Sequence, residues 1–328
     1  MNRRKILWGV ASLLAAALLL LAAPIGEAAK YPSKPIRVIV ALGAGGSHDM
    51  HARAVSSVVY EYLGQPLVVQ LMPGGGGKVG MSALLRSKPD GYTVVLASSS
   101  HTTIGPHVRN MGYDPLTDFI PVFQVNQADY MIVGLKSQPW QGFDQFLAAA
   151  RKNPGKLSYG SSGIYGTGHL MILKLMADTG IKLKHIPFKG GGPGMRAMLG
   201  GHVDTAGGLP ATGGLLGLHR AGKVQVLAVC AEKRNSLFPN VPTMKEKGVD
   251  FILHSWRTFM VPKGTPQDRI DILVGALKKV VKNKSFKKLL KKMGERPVPI
   301  YGAALKKKIR SEHARFGAIF KSIGVGKK

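Results

Sequence analysis

Three times or more, this chain repeats one order: a short β-branched run, a glycine-rich turn directly after it, and then a stretch with helical spacing. Residues 36–42 run into Gly43-Ala44-Gly45-Gly46-Ser47, after which Met50, Ala54, Val58 and Tyr62 recur at helical intervals until Gly64. Residues 67–71 meet Pro73 and four glycines, then a helical stretch over 79–85, Pro89-Asp90-Gly91 and a strand over 92–97. The grammar restarts after Pro139, with a helix over 143–152, a strand over 157–160, a Ser/Gly turn, a helix over 169–179, a strand over 183–187, Lys189-Gly190-Gly191-Gly192-Pro193 and a helix over 194–199. Residues 201–204 and 224–231 supply further strand material, and the chain from Thr265 onward is largely helical. Strand, turn, helix, strand predicts a parallel α/β sheet with right-handed crossovers, built here as two α/β units.

The ends of the chain bound its setting. Arg3, Arg4 and Lys5 precede an apolar stretch over 6–23 and a small-residue exit at Gly26-Glu27-Ala28-Ala29, the order of a secretory signal peptide cleaved after Ala28 or Ala29. Residues 1–29 are therefore expected to be a leader, and the mature chain to be periplasmic. Cys230 is the sole cysteine, so no intrachain disulfide forms and stability comes from packing. The formal net charge is +29, a field that attracts anions generally. Much of it lies over residues 278–292, which carry eight lysines and no acid on an amphipathic pattern. No nucleic-acid motif accompanies the charge, so no nucleic acid partner is expected.

In open α/β sheets ligands bind beyond the carboxyl ends of the strands, where turns present backbone N–H groups and helix N-termini carry partial positive charge. Three turns meet that description: residues 43–49, 160–169 and 189–194. Glycine permits close backbone approach, and Ser or Thr adds a hydroxyl donor. Asp49 reads as an anchor of its own loop, since a bare carboxylate facing an anionic ligand would repel it. His48 and His51 flank it, but no cysteine or carboxylate cluster completes a metal set, so neither metal nor cofactor is expected. The enzymatic signatures fail at particular letters. Gly43-x-Gly45 lacks the third glycine of a dinucleotide fingerprint, Gly77-Lys78 is followed by Val79 rather than Ser or Thr, and Gly160-Ser161-Ser162-Gly163 is one residue short of a nucleophile elbow. No catalytic set assembles.

Several segments together resemble a known family. Tyr31-Pro32-Ser33-Lys34-Pro35-Ile36-Arg37 followed by Ala44-Gly45-Gly46-Ser47-His48-Asp49 is similar to the mature start of the Bug-type (TctC-type) receptors of tripartite tricarboxylate transporters. Pro89-Asp90-Gly91-Tyr92, Tyr159-Gly160-Ser161-Ser162-Gly163, His185-Ile186-Pro187-Phe188-Lys189-Gly190 and Pro239-Asn240-Val241-Pro242-Thr243 continue the likeness over nearly all of the mature chain. The resemblance implies a two-lobed Venus flytrap, an α/β periplasmic-binding-protein architecture with a hinged central cleft. Domain one would comprise residues 30–134 plus 254–328, and domain two residues 135–253. It implies a monomeric binding protein, not an enzyme, that captures a small organic carboxylate (dicarboxylate, tricarboxylate, acidic amino acid or aromatic acid) and delivers it to the membrane components of the transporter. A sensing receptor that signals to a membrane partner is the alternative reading, with an α/β enzyme behind it.

Ligand contacts are expected from Gly45, Gly46, Ser47, His48 and Asp49 in the first loop, from Ser161, Ser162, Tyr165, Thr167 and His169 in the second, and from Lys189, Gly190 and Arg257. Here the chain also departs from the family pattern. His48 stands where Thr is common, Tyr165 where glycine is common, Gly207-Gly208 where a bulkier pair is frequent, and Arg257 is not a usual choice. Arg257 reads either as a clamp for a second carboxylate or as an exposed, solvated arginine.

Overall fold

A computed structural model of the chain describes residues 31–188, 190–210, 213–293 and 295–326. The expected leader and Lys189 lie outside the described residues. The described residues from Lys34 onward belong to one unit, and the fold below is that unit's.

The first βαβ element forms where the sequence places it. Strand β1 (Ile36–Val40) buries every residue except Arg37, as a parallel strand covered on both faces must. Helix α1 (Ser47–Leu63) follows, and β1 pairs in parallel with β2 (Leu67–Leu71) on one side and β3 (Thr93–Ser98) on the other. Helix α2 (Lys78–Leu85) packs Met81 and Leu84 against Ile39, Val95 and Ala97. A second parallel set, preceded by helix α3 (Gly142–Lys152), joins β5 (Ser158–Ser161), β6 (Lys184–Pro187) and β7 (Thr205–Pro210), with helices α4 (Thr167–Thr179) and α5 (Gly191–Leu199) in the connections.

The parallel pairing expected from the sequence is found within each set, but antiparallel strands join them. Two long strands, β4 (Phe119–Leu135) and β9 (His254–Pro262), run antiparallel to their neighbours and join the two parallel sets. The path is β2-β1-β3-β9-β4-β7-β5-β6. The first part of β4 pairs with β9, and Tyr130 to Leu135 pair with β7 and with β8 (Val224–Cys230), so one strand belongs to both half-sheets. Periodicity hid β4 because Gln124 and Asn126 interrupt its apolar run, yet both are fully buried. Residues 201–204 are a turn before β7 rather than strand. The helical tail also contains a strand, β10 (Arg296–Tyr301), antiparallel to β4; its two prolines conceal it, and an edge position tolerates them.

After β9 come α6's later neighbours in the chain, α7 (Gln267–Val280), α8 (Lys284–Lys292) and α9 (Gly302–Ser322), α6 itself being Gly213–Arg220. Helix α9 lays Leu305 and Ile309 against the buried Trp256 and sends Phe316 and Phe320 into the cluster around Trp140, Phe146 and Phe251. Cys230 is buried and donates its thiol to the Phe251 carbonyl. No helix of the described residues is long and apolar enough to cross a membrane.

Candidate ligand-binding site

The turn after β1 is held from within. Asp49, one turn into α1, accepts the Gly45 N–H at 2.9 Å through Oδ2, while Arg53 donates to its Oδ1 at 2.7 Å. The carboxylate is thus consumed in fixing the loop, and Gly46 provides the extended residue from which α1 starts. This leaves the N-terminus of α1, with its orphan N–H groups, facing the turn.

Beneath that turn sits a buried polar network. Arg257 on β9 is 2 % exposed, so it is neither solvated nor free. Its guanidinium donates to the Ser47 hydroxyl and lies 3.4 Å from the Glu295 carboxylate. Glu295 also takes His51 Nε2 at 2.8 Å and the Asn126 side-chain amide. Burial by itself would raise the Glu295 carboxyl, but Arg257, with His51 and Asn126, outweighs it and holds it below the usual carboxylate range. The exposed reading of Arg257 is therefore corrected: a full positive charge is tolerated here because a full negative charge faces it. Arg257 Nε and Asn126 Oδ1 are buried without a hydrogen-bond partner among the described residues.

The turn after β5 is organised by stacked rings. Tyr165 takes a left-handed backbone (φ 54°), its N–H donates to His169 Nδ1 at 2.9 Å, and its ring stacks on His169 with centroids 5.6 Å apart. His169 stacks on His185 at 3.9 Å and His185 on Tyr159 at 4.9 Å, giving a column of four rings. Because His169 Nδ1 accepts, its proton resides on Nε2. Burial and then the neighbouring His185 push His169 down to about 4, so it is a neutral donor near pH 7. The Ser161 hydroxyl lies 2.8 Å from His185 Nε2. Thr167 opens α4 behind Gly166, and Gly190, with φ 125°, precedes α5.

The Gly207-Gly208 departure has a steric reason. A Cβ on Gly168 would lie 2.1 Å from the Gly207 carbonyl oxygen, and one on Gly208 would lie 2.3 Å from Gly168 Cα. The first turn of α4 therefore rests on the backbone of β7, an approach that only glycine allows. Across from it, Arg109 reaches the second turn, donating to the Ile164 carbonyl at 2.7 Å. Gly76 makes room for that guanidinium, since a Cβ there would meet it at 2.7 Å.

The structure thus brings Gly45 and Asp49 together, and Ser47 with Arg257, and sets Ser161, Tyr165 and His169 around one ring column. Ser162 makes no hydrogen bond among those described, and His48 lies edge-on to His101 with its Nε2 buried and unpartnered. Sequence reasoning missed Glu295, Asn126, His101, Arg109 and His185. Glu295 alone carried a signal, as the first acid after the lysine run. Among the described residues no group of three or more His, Cys, Asp or Glu is placed to hold a metal ion. A surface cavity of about 550 Å³ between Gln141 and Lys247 shares no residue with these turns.

Comparison with known proteins decides the family. The TctC model, tripartite tricarboxylate transporter family receptor, matches residues 51–325. The chain belongs to this family. Protein BugT of Bordetella pertussis is 33% identical over 282 residues, which is 85% of this chain and 85% of BugT. A TctC solute-binding protein from Polaromonas is 32% identical, with TM-score 0.73 over 89% of this chain and 99% of the other. R. palustris Rpa4515, solved with adipate, is 28% identical, with TM-score 0.82 over 90% of this chain and 99% of the other. These matches make the chain a TctC solute-binding receptor with the two-lobed α/β fold of periplasmic binding proteins, a family of receptors rather than enzymes.

Proposed function

We propose that this TctC receptor captures a small organic carboxylate between the turns over 43–49 and 161–169 and delivers it to the membrane components of a tripartite transporter. One observation carries the reading: the charged side chains of the first turn are already spent inside the protein. Asp49 is occupied by Gly45 and Arg53, and Arg257 by Glu295 and Ser47. What remains to meet an anion is mainly a set of neutral donors: backbone N–H groups at the starts of α1 and α4, the hydroxyls of Ser162 and Thr167, and His169 Nε2; the Ser161 hydroxyl is taken up by the Gly163 carbonyl and His185, and Arg109, held on the Ile164 carbonyl, is the cation beside the second turn. His48, Tyr165, Lys189 and Gly190 border the same turns in sequence and would select among carboxylates. The adipate held by Rpa4515 supports a dicarboxylate as the first compound to try. The hydrogen bonds to a charged group contribute roughly 1.5–3 kcal/mol each, so three or four, less ordering costs, suffice for micromolar affinity.

Calorimetry with adipate, malate and their methyl esters tests the clamp. Esterifying the gripped carboxylate is expected to weaken binding about a hundredfold, the equivalent of one or two charge-assisted bonds. Asp49→Ala, which frees the first turn, is expected to weaken it about tenfold or more. An ester that binds as well as its acid removes the proposal.

We further propose that residues 1–29 are removed on export to the periplasm, and that domain one (30–134 plus 254–328) closes on domain two (135–253) about β4 and β9. Contacts from two lobes to one ligand exist only when the lobes meet, so binding shifts the population toward the closed form. Small-angle scattering is expected to give a smaller radius of gyration at saturation, and an unchanged radius with proven binding rules out the hinge.

A further inference from the structure

The lysine run singled out in the sequence has no part in the site, and its placement is specific. Lys278 and Lys279 end α7, Lys282 lies in the link, and Lys284, Lys287, Lys288, Lys291 and Lys292 belong to α8. All eight are exposed, and none is in an ion pair among the described residues. Phe286 and Leu290 are fully buried and fix the inner face of α8. At about 100° per residue, the five lysines of α8 fan over an arc of roughly 140° centred opposite that buried face. The helix is also pinned in orientation, because the Asn283 side chain caps Ser285 and Phe286 N–H and donates to the Tyr62 hydroxyl on α1 at 2.8 Å.

Local stability does not account for this pattern. Lysines three and four apart on one helix face repel, and Lys284 sits in the first turn, where the helix dipole disfavours a cation. The repulsion is relieved by an anionic surface. The composition of the face separates two kinds of surface. Protein interfaces concentrate Arg, Tyr and Trp and are depleted in Lys, whereas residues 278–292 hold no arginine, and Leu289 is their one exposed large apolar side chain among the described residues. An ammonium on a flexible stem is a point charge without planar, bidentate directionality, suited to the diffuse negative potential over phospholipid headgroups.

We propose that the end of α7 and the outer face of α8 form a docking surface for an anionic phospholipid bilayer. Co-sedimentation of the receptor with phosphatidylethanolamine/phosphatidylglycerol vesicles, against phosphatidylcholine vesicles, tests it. Binding is expected to the anionic vesicles only, and to be lost in high salt. A variant carrying Lys284→Gln, Lys287→Gln, Lys288→Gln and Lys291→Gln is expected to partition about tenfold or more less strongly. A control of equal net charge, with Lys152→Gln, Lys156→Gln, Lys182→Gln and Lys184→Gln, is expected to keep most of the binding. A cooperative thermal transition with a Tm no lower than that of the unaltered chain verifies the fold of the α8 variant, and the lipid and salt comparisons on the unaltered chain stand without it. Equal loss in both variants, equal binding to phosphatidylcholine, or no binding to anionic vesicles overturns the proposal. So does lysine-dependent capture of an acidic protein without vesicle binding.

Discussion

Replacing Glu295 by Ala is expected to cost roughly 3–5 kcal/mol, because it strands the Arg257 guanidinium in the interior with its counter-charge gone. Arg257 is 2 % exposed and, among the described residues, its side chain hydrogen-bonds only Ser47 and Glu295, so no water-facing route relieves it. His51 and Asn126 lose an acceptor in the same step. For a domain of this size the expected fall in Tm is on the order of 10 °C. Glu295→Gln keeps an acceptor without the charge and should fall between the wild type and the Ala variant. Adding Arg257→Met to Glu295→Gln should recover part of the loss, since a pair removed together leaves no orphaned charge. A Tm within about 3 °C of the wild type for Glu295→Ala means the network contributes little.

Mild acid is expected to destabilise this receptor well before carboxylates titrate. Burial, and then Arg109, pushes His101 down to about 4; burial, followed by Arg257 and two neighbouring histidines, holds His48 well below its ordinary value. His169 falls to about 4 through burial and His185, and His185 is itself lowered by burial. Each of these groups has a folded value below its unfolded one near 6.5, so the unfolded chain binds more protons and stability rises with pH. The contribution is intact above about pH 6.5 and is lost as pH falls from there toward about 4, at up to about 1.4 kcal/mol per pH unit for a fully buried histidine. Glu295, a depressed carboxyl, adds its own loss only as pH falls below about 4.5. Tm measured between pH 7.5 and 4.5 should fall steeply, and calorimetry in buffers of different ionisation enthalpy should register proton uptake on unfolding. His101→Gln should flatten the slope. A Tm constant from pH 7 to 5 shows that the histidines titrate alike in the folded and unfolded chain.

What the sequence revealed followed from local rules. The strand, turn and helix order over residues 36–97 and 157–199 was legible because each element carries its own punctuation, and α1 and α4 begin two or three residues earlier than periodicity suggested. Asp49 was legible as an anchor because its partner lies four residues away. The Arg257 environment was not, since Glu295 and Asn126 meet it only through the pairing of β4 with β9 and β10, and Ser47 only through the placement of β1 and β3 beside β9. The ring column was hidden for the same reason: Tyr159, His169 and His185 are spread over three elements, and Tyr165 over the turn between two of them, whose register no single segment fixes. The Gly207-Gly208 pair read as a departure from a family pattern, and its cause, contact with Gly168, is a property of packing.

The course of β4 through both half-sheets also sets an order of assembly. Phe119 pairs with Pro262 and Asn126 with Pro297, and Glu295 must arrive before the charge on Arg257 is balanced. The leading half of the chain thus cannot finish its sheet until almost the whole polypeptide has been made, and closing such distant pairings is slow. A nascent chain of this design completes its central sheet only once its last strand is delivered.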